Sequence, residues 1–371
     1  MQTIFSQSTN LDTLAQDIEV LCAKHETKSL ILLGCDENNW SSETLTSLLH
    51  SIPQPLIGGI FPQVVYGHKN YQTGYILIAI DQLLTTTIID GLNDDNADFE
   101  DIIVEKIPDN IECQSMLVFV DGLSDRIGSF LDGLFAIYGA NVQYLGGGAG
   151  SLSFEKKPCV MTNQGIFEAS AAIALLDSKS AVNVGHGWEP LKKGYVATSV
   201  EKNIIKEIDY KNALDVYESS LQPYIIHRLT ESNFFEFAQS FPIGIKKIDG
   251  EYIVRDPITI TADGHLVCVG EISEGDHIDI LRGNKNALIN AAKNTSSDVA
   301  TKTHSPDGVL LIDCISRALF LKDDFHEEII AVACEFPKNT PLFGALVLGE
   351  IANSGSGYLE FYNKTTVVAL I

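Results

Sequence analysis

Leu145-Gly146-Gly147-Gly148-Ala149-Gly150 closes a strand–helix–strand run and decides how the first half of the chain is read. Upstream, Ser115 to Val120 is a continuous apolar stretch ended by Asp121-Gly122, and Asp125 to Tyr138 places Phe130, Leu134 and Ile137 at helical spacing. A second apolar segment, Val142 to Leu145, leads into four glycines within five residues. Glycine costs about 0.5–1 kcal/mol relative to alanine in regular structure, so this density implies positive φ, tight packing on another element, or approach to a ligand. The order is superficially that of a dinucleotide site. The glycines follow the second strand, however, and no helix with an acidic partner comes at the required distance, which argues against a nucleotide fingerprint. Gly185-His186-Gly187-Trp188 repeats the same open character further on. Packing alone is the simpler account of both segments; the functional expectation is that the two turns face a shared hollow that accommodates a guest molecule.

Outward from that core, Leu11 to Lys24 reads as an amphipathic helix and Ser29 to Leu33 as a buried strand, with a second helix capped by Ser41 or Ser42. Gly74 to Ile80 and Thr85 to Ile89 resemble a strand pair, and Cys159 to Gly185 reads as an antiparallel meander. Lys211 to Ser219 is a helix, and Asn233 to Phe241 carries the chain across to a second domain. In the second half, Asp249-Gly250 and Asp263-Gly264 each join alternating strands, a strong hairpin signal. Gly308 to Ile312 is a buried strand, and Asp313-Cys314-Ile315-Ser316-Arg317 opens a helix. The expected fold is α+β: two domains, residues 1–241 and 242–371, of mostly antiparallel sheets covered by helices.

The chain has 371 residues, and 25 basic against 49 acidic side chains give a formal charge of −24. So negative a surface repels phosphate backbones and anionic headgroups, which speaks against nucleic-acid and membrane partners. No apolar run approaches the roughly 18–20 residues needed to span a bilayer, and no secretory signal is visible, so a cytoplasmic location is expected. Seven widely spaced cysteines without a CxxC pair argue against both a disulfide scaffold and a thiolate zinc site.

Several short motifs then fall in one order: Leu117 to Ser124 (LVFVDGLS), Leu145 to Ser151 (LGGGAGS), Gly185 to Trp188 (GHGW), Tyr252 to Pro257 (YIVRDP), Glu274-Gly275, Asp313 to Arg317 (DCISR) and Gly349 to Ile351 (GEI). In this the chain resembles the FIST family of bacterial sensory modules, built from an N-terminal and a C-terminal half. The resemblance implies small-ligand sensing with no known reaction, coupled to a separate signalling protein such as a histidine kinase or a cyclic-dinucleotide signalling protein. It also suggests two ligand classes. One is haem b with nitric oxide as the sensed gas, as in stand-alone members that the chain is similar to; the other is an amino acid or similar small carboxylate. Pro55 to Val65 departs from the small-residue glycine motif of many relatives. A homodimer is compatible with the sequence, which does not specify the oligomeric state.

For haem, an axial imidazole in a water-poor pocket is needed together with cations for the propionates. His186 is the foremost metal-ligand candidate, because Gly185 and Gly187 clear space around it and Trp188 offers an apolar wall; Gly147 and Gly148 complete the expected binding surface. His227 is the second choice. Arg255 and Arg317 are the cations best placed to clamp a carboxylate, whether a propionate or an α-carboxylate, although either could equally bridge to Asp313 or Glu350. Cys314 at a helix start raises the thought of a thiol enzyme, but Asp313 opposes thiolate formation and no Cys–His–Asn order can be drawn, so a non-enzymatic role is expected.

Overall fold

The computed structural model describes residues 1–107, 113–222, 224–247, 252–303, 306–353 and 357–371; the Asp249-Gly250 turn lies outside them. Among the described residues the chain forms three six-stranded sheets and one seven-stranded sheet, mostly antiparallel, with helices packed on their faces. This is the expected α+β class.

The same unit occurs three times. A strand, one or two helices and a second strand parallel to the first are formed by Ser29–Cys35 with Leu56–Phe61, by Ser115–Asp121 with Gln143–Ala149, and by Val309–Cys314 with Leu342–Val347. The intervening helices are Ser42–Ser51, Ile127–Tyr138, and Ile315–Leu321 followed by Phe325–Ala333. Each pair is buried on both faces, which explains why these strands read as unbroken apolar runs.

A glycine marks each unit at the same structural place. A Cβ on Gly58 would lie 2.3 Å from the carbonyl oxygen of Leu32, on Gly146 1.8 Å from that of Val118, and on Gly344 1.7 Å from that of Leu311. In all three cases the threatened carbonyl belongs to the residue paired in register on the neighbouring parallel strand. The LGGGAG stretch is thus mostly strand, Gln143–Ala149, rather than the expected turn, and its glycines answer a close backbone approach within the sheet.

Two further expectations are corrected. Tyr75–Ile80 and Thr85–Asp90 are both strands, but they do not pair with each other: the first lies between Gln2–Ser6 and Ser29–Cys35, the second on Ser170–Leu176. His227, the second-choice axial ligand, lies exposed in a non-helical connection and offers no water-poor pocket. The Asp263-Gly264 hairpin forms as read, joining Tyr252–Ile260 to Leu266–Val269.

The sheets interleave the two ends of the chain. Gln63–Tyr66 pairs with Leu342–Val347, Ala181–Gly185 with Thr366–Leu370, and Gln143–Ala149 with Glu350–Asn353. Strands from both sides of Phe241 therefore share hydrogen-bonded ladders, and they enclose the region described next.

Candidate ligand-binding cavity

A cavity of about 770 Å³ opens between the turn after Ser115–Asp121, the strand Tyr252–Ile260 and the start of the helix Ile315–Leu321. Pockets of 300–1,000 Å³ are the size that encloses small molecules and cofactors. Four of the quoted motifs contribute to its wall: Gly122, Leu123 and Ser124 from LVFVDGLS, Arg255 and Asp256 from YIVRDP, Cys314 and Ser316 from DCISR, and Gly349 from GEI.

Arg255 is buried and stands in the middle of its strand, not at its end. Its Nε donates to the carbonyl of Glu271 at 2.7 Å, and its Nη1 donates to the carbonyls of Phe361 at 2.8 Å and Val254 at 3.3 Å. Nη2 has no hydrogen-bond partner among the described residues, and no carboxylate there lies within ion-pair distance of the guanidinium. Loss of solvation pulls its pKa down, with Glu360, Glu271 and Asp276 opposing from a distance. A guanidinium cannot shed its proton at ordinary pH, so this is a buried charge without a contact counter-ion.

Other polar groups in the wall are also incompletely satisfied. Asp256 accepts from Ser316 Oγ at 2.5 Å and lies 3.1 Å from Lys364 Nζ, while its Oδ1 lacks a hydrogen bond of good geometry. Asn363 Oδ1 and Ser124 Oγ are buried without partners among the described residues. Glu271 reaches over the first turn of the helix Ile127–Tyr138, where a Cβ on Gly128 would lie 2.7 Å from its Oε2, and burial raises its pKa against the pull of Arg255. Sequence reasoning passed over Asp256, Ser316 and Asn363, although the first two stand inside quoted motifs.

Arg317 has the opposite environment. Fully buried, it donates from Nε and Nη2 to Glu328 at 2.9 and 2.6 Å, from Nη2 to the Leu288 carbonyl at 3.1 Å and from Nη1 to the His186 carbonyl at 2.5 Å. Asp313 lies 3.3 Å from its Nε. Burial alone would lower the arginine's pKa, but Glu328 and Asp313 together raise it. Arg317 is a structural bridge and lines no part of the cavity.

Nor do the glycine turns or His186 line it. Gly147 backs onto Gly349 and Val347, and Gly148 onto Gly122 and Leu348, one layer behind the wall. Gly185 and Gly187 pack on Thr295 and Ala287 of the helix Lys285–Ala300, where a Cβ would approach to 2.3 and 2.5 Å. The His186 Nδ1 accepts from the Trp188 backbone N–H at 2.9 Å, and burial, reinforced by Arg317, lowers the imidazole pKa to about 4. Trp188 donates from Nε1 to the Lys364 carbonyl at 2.9 Å and packs against Phe320. The shared hollow expected between the two turns is therefore filled by protein, and of the residues expected to bind the ligand only Arg255 reaches the cavity.

These residues do not fit haem. Among the described residues the cavity wall carries no imidazole; His186 lies away from it, its Nδ1 accepting from the Trp188 backbone N–H and its carbonyl from Arg317. Cys268 and Cys314 do line the wall, but burial raises both thiol pKa values, disfavouring the thiolate a metal needs. Among the described residues no group of three or more His, Cys, Asp or Glu side chains is placed to hold a metal ion, and no helix is long and apolar enough to cross a membrane.

A cavity of this size with a buried cation in its wall is the kind of site a ligand-binding module carries. The FIST N domain matches residues 29–211 and the FIST C domain residues 213–353, so the chain belongs to the FIST family. FIST domains are sensory, small-ligand-binding modules of signal transduction. No curated protein was found to match the chain.

Proposed function

We propose that the protein is a sensor for a small carboxylate metabolite, with amino acids among the candidates, and that the carboxylate binds Arg255 in the 770 Å³ cavity. The observation that carries this is the free Nη2 of a buried guanidinium whose other donors are fixed on carbonyls of Glu271, Val254 and Phe361. A ligand carboxylate would supply the missing counter-ion through a charge-assisted hydrogen bond, the strongest kind a side chain offers an anion. Asp256 and Asn363 line the same cavity and add polar character beside the arginine. The cavity touches segments matched by both family domains, so occupancy favours one arrangement of the two over others, and a separate signalling protein such as a histidine kinase reads the difference.

A panel of amino acids and short carboxylates scored by thermal shift tests this reading. A ligand at 100 times its dissociation constant adds about 2.7 kcal/mol of stability. The effect should vanish in Arg255→Met with the fold retained by circular dichroism; carboxylates that stabilise both proteins equally would refute the assignment. A hemin titration runs beside it, and a sharp Soret band abolished by His186→Ala would reinstate the haem reading.

A further inference from the structure

The shape and lining of the cavity reach beyond the presence of a carboxylate, on which the following rests. We propose that the ligand is an amphiphilic carboxylate: its head on Arg255 at the inner end, and an aliphatic body along the apolar wall to Leu152 and Phe154 at the mouth.

Three observations converge. The first is volume: 770 Å³ is several times what a single α-amino acid fills, and a ligand much smaller than its pocket leaves water against apolar walls. The second is the wall itself, where Phe235, Ile258, Leu319 and Leu348 come from four separate segments and present carbon to the space. The third is the mouth. Leu152 and Phe154 are 36% and 41% exposed, two of the few large apolar side chains left open to solvent, and both line the cavity. Phe154 is held at φ +57, a left-handed conformation that a bulky aromatic rarely adopts. Residues kept in such conformations gather at ligand clamps, where surrounding contacts over-determine them. An aliphatic chain leaving Arg255 for solvent would cover both side chains of this rim.

Isothermal titration of the purified full-length chain with straight-chain carboxylates from hexanoate to decanoate tests the proposal. One molecule should bind per chain, with affinity rising about fourfold per methylene, the increment expected for burying each CH₂. Decanol should bind at least roughly tenfold more weakly than decanoate, because it lacks the charge that Arg255 requires. Phe154→Asp, at an exposed position and with the fold checked by circular dichroism, should weaken decanoate severalfold and hexanoate little. Affinity that is flat with chain length, while short carboxylates still bind in an Arg255-dependent way, overturns the amphiphile and leaves the carboxylate sensor standing. Decanol binding as tightly as decanoate, or carboxylates binding folded Arg255→Met undiminished, overturns both.

Discussion

Glu328 holds Arg317 through both carboxylate oxygens, at 2.9 and 2.6 Å, with both side chains fully buried on successive helices of the third strand–helix–strand unit. Arg255, also buried, has no such partner among the described residues. One arginine is completed by carboxylates of the protein; the other donates to carbonyls and keeps Nη2 without a partner among the described residues.

Removing the Glu328 carboxylate leaves a guanidinium buried without its closest counter-ion. Breaking a buried pair by truncating one member costs about 3–5 kcal/mol. Glu328→Ala should therefore lower the urea midpoint sharply, whereas a change confined to the exposed rim, such as Phe154→Asp, should move it little.

Buried carboxyls give the stability a definite pH dependence. Burial raises Glu350 to about 8 against hydrogen bonds from Thr365, and it raises Asp313 in the same direction, with Glu328 adding to the effect. Glu350 keeps a proton in the folded state that the unfolded chain releases above the ordinary carboxyl range, so its contribution is complete at low pH and is lost as pH rises toward 8. His186, lowered to about 4, acts oppositely, and its contribution is lost as pH falls from about 6.5 toward 4. Between those values the effects offset one another. Above about 6.5 only Glu350 remains, and stability should fall with pH by about 1.4 kcal/mol per unit. Denaturation series at successive pH values should show this slope, and Glu350→Gln should remove one proton's share of it.

Gly146 cannot accept a side chain. Its φ of +148 and the Val118 carbonyl 1.8 Å from an added Cβ require the parallel pair to separate. Gly146→Ala should abolish soluble folded protein, whereas Gly139→Ala, also at positive φ but facing open space, should cost only about 1 kcal/mol by thermal melting.

Thiol reactivity should follow exposure. Cys334 is exposed, whereas Cys35, Cys159, Cys268 and Cys314 are buried with thiol pKa values raised by loss of solvation. Under native conditions iodoacetamide should label Cys334 first by mass spectrometry. Rapid labelling of Cys314 would revive a nucleophilic role for it.

Much of the architecture was legible, because strands buried on both faces leave unbroken apolar runs such as Ser115–Asp121 and Val309–Cys314. Arg255 was legible too, as a rare cation inside apolar sequence. The division of labour between Arg255 and Arg317 was not, since it turns on Glu328, a residue of the next helix that only the fold turns inward. The glycines misled for a related reason. Close approach of a ligand and close approach of a neighbouring carbonyl impose the same demand for a missing side chain, and only the position of Val118 tells them apart. Likewise Tyr75–Ile80 and Thr85–Asp90 carry the local pattern of a hairpin, yet each finds its partners in a different sheet.

Thr366–Leu370 fills the gap between Ala181–Gly185 and Val309–Cys314. During synthesis the earlier of these neighbours therefore emerges from the ribosome long before the strand that covers it. Until then its amide edge is open to other nascent chains, and pairings so distant in sequence form slowly. Production of this protein should depend on chaperone supply and gain from slower translation or lower growth temperature.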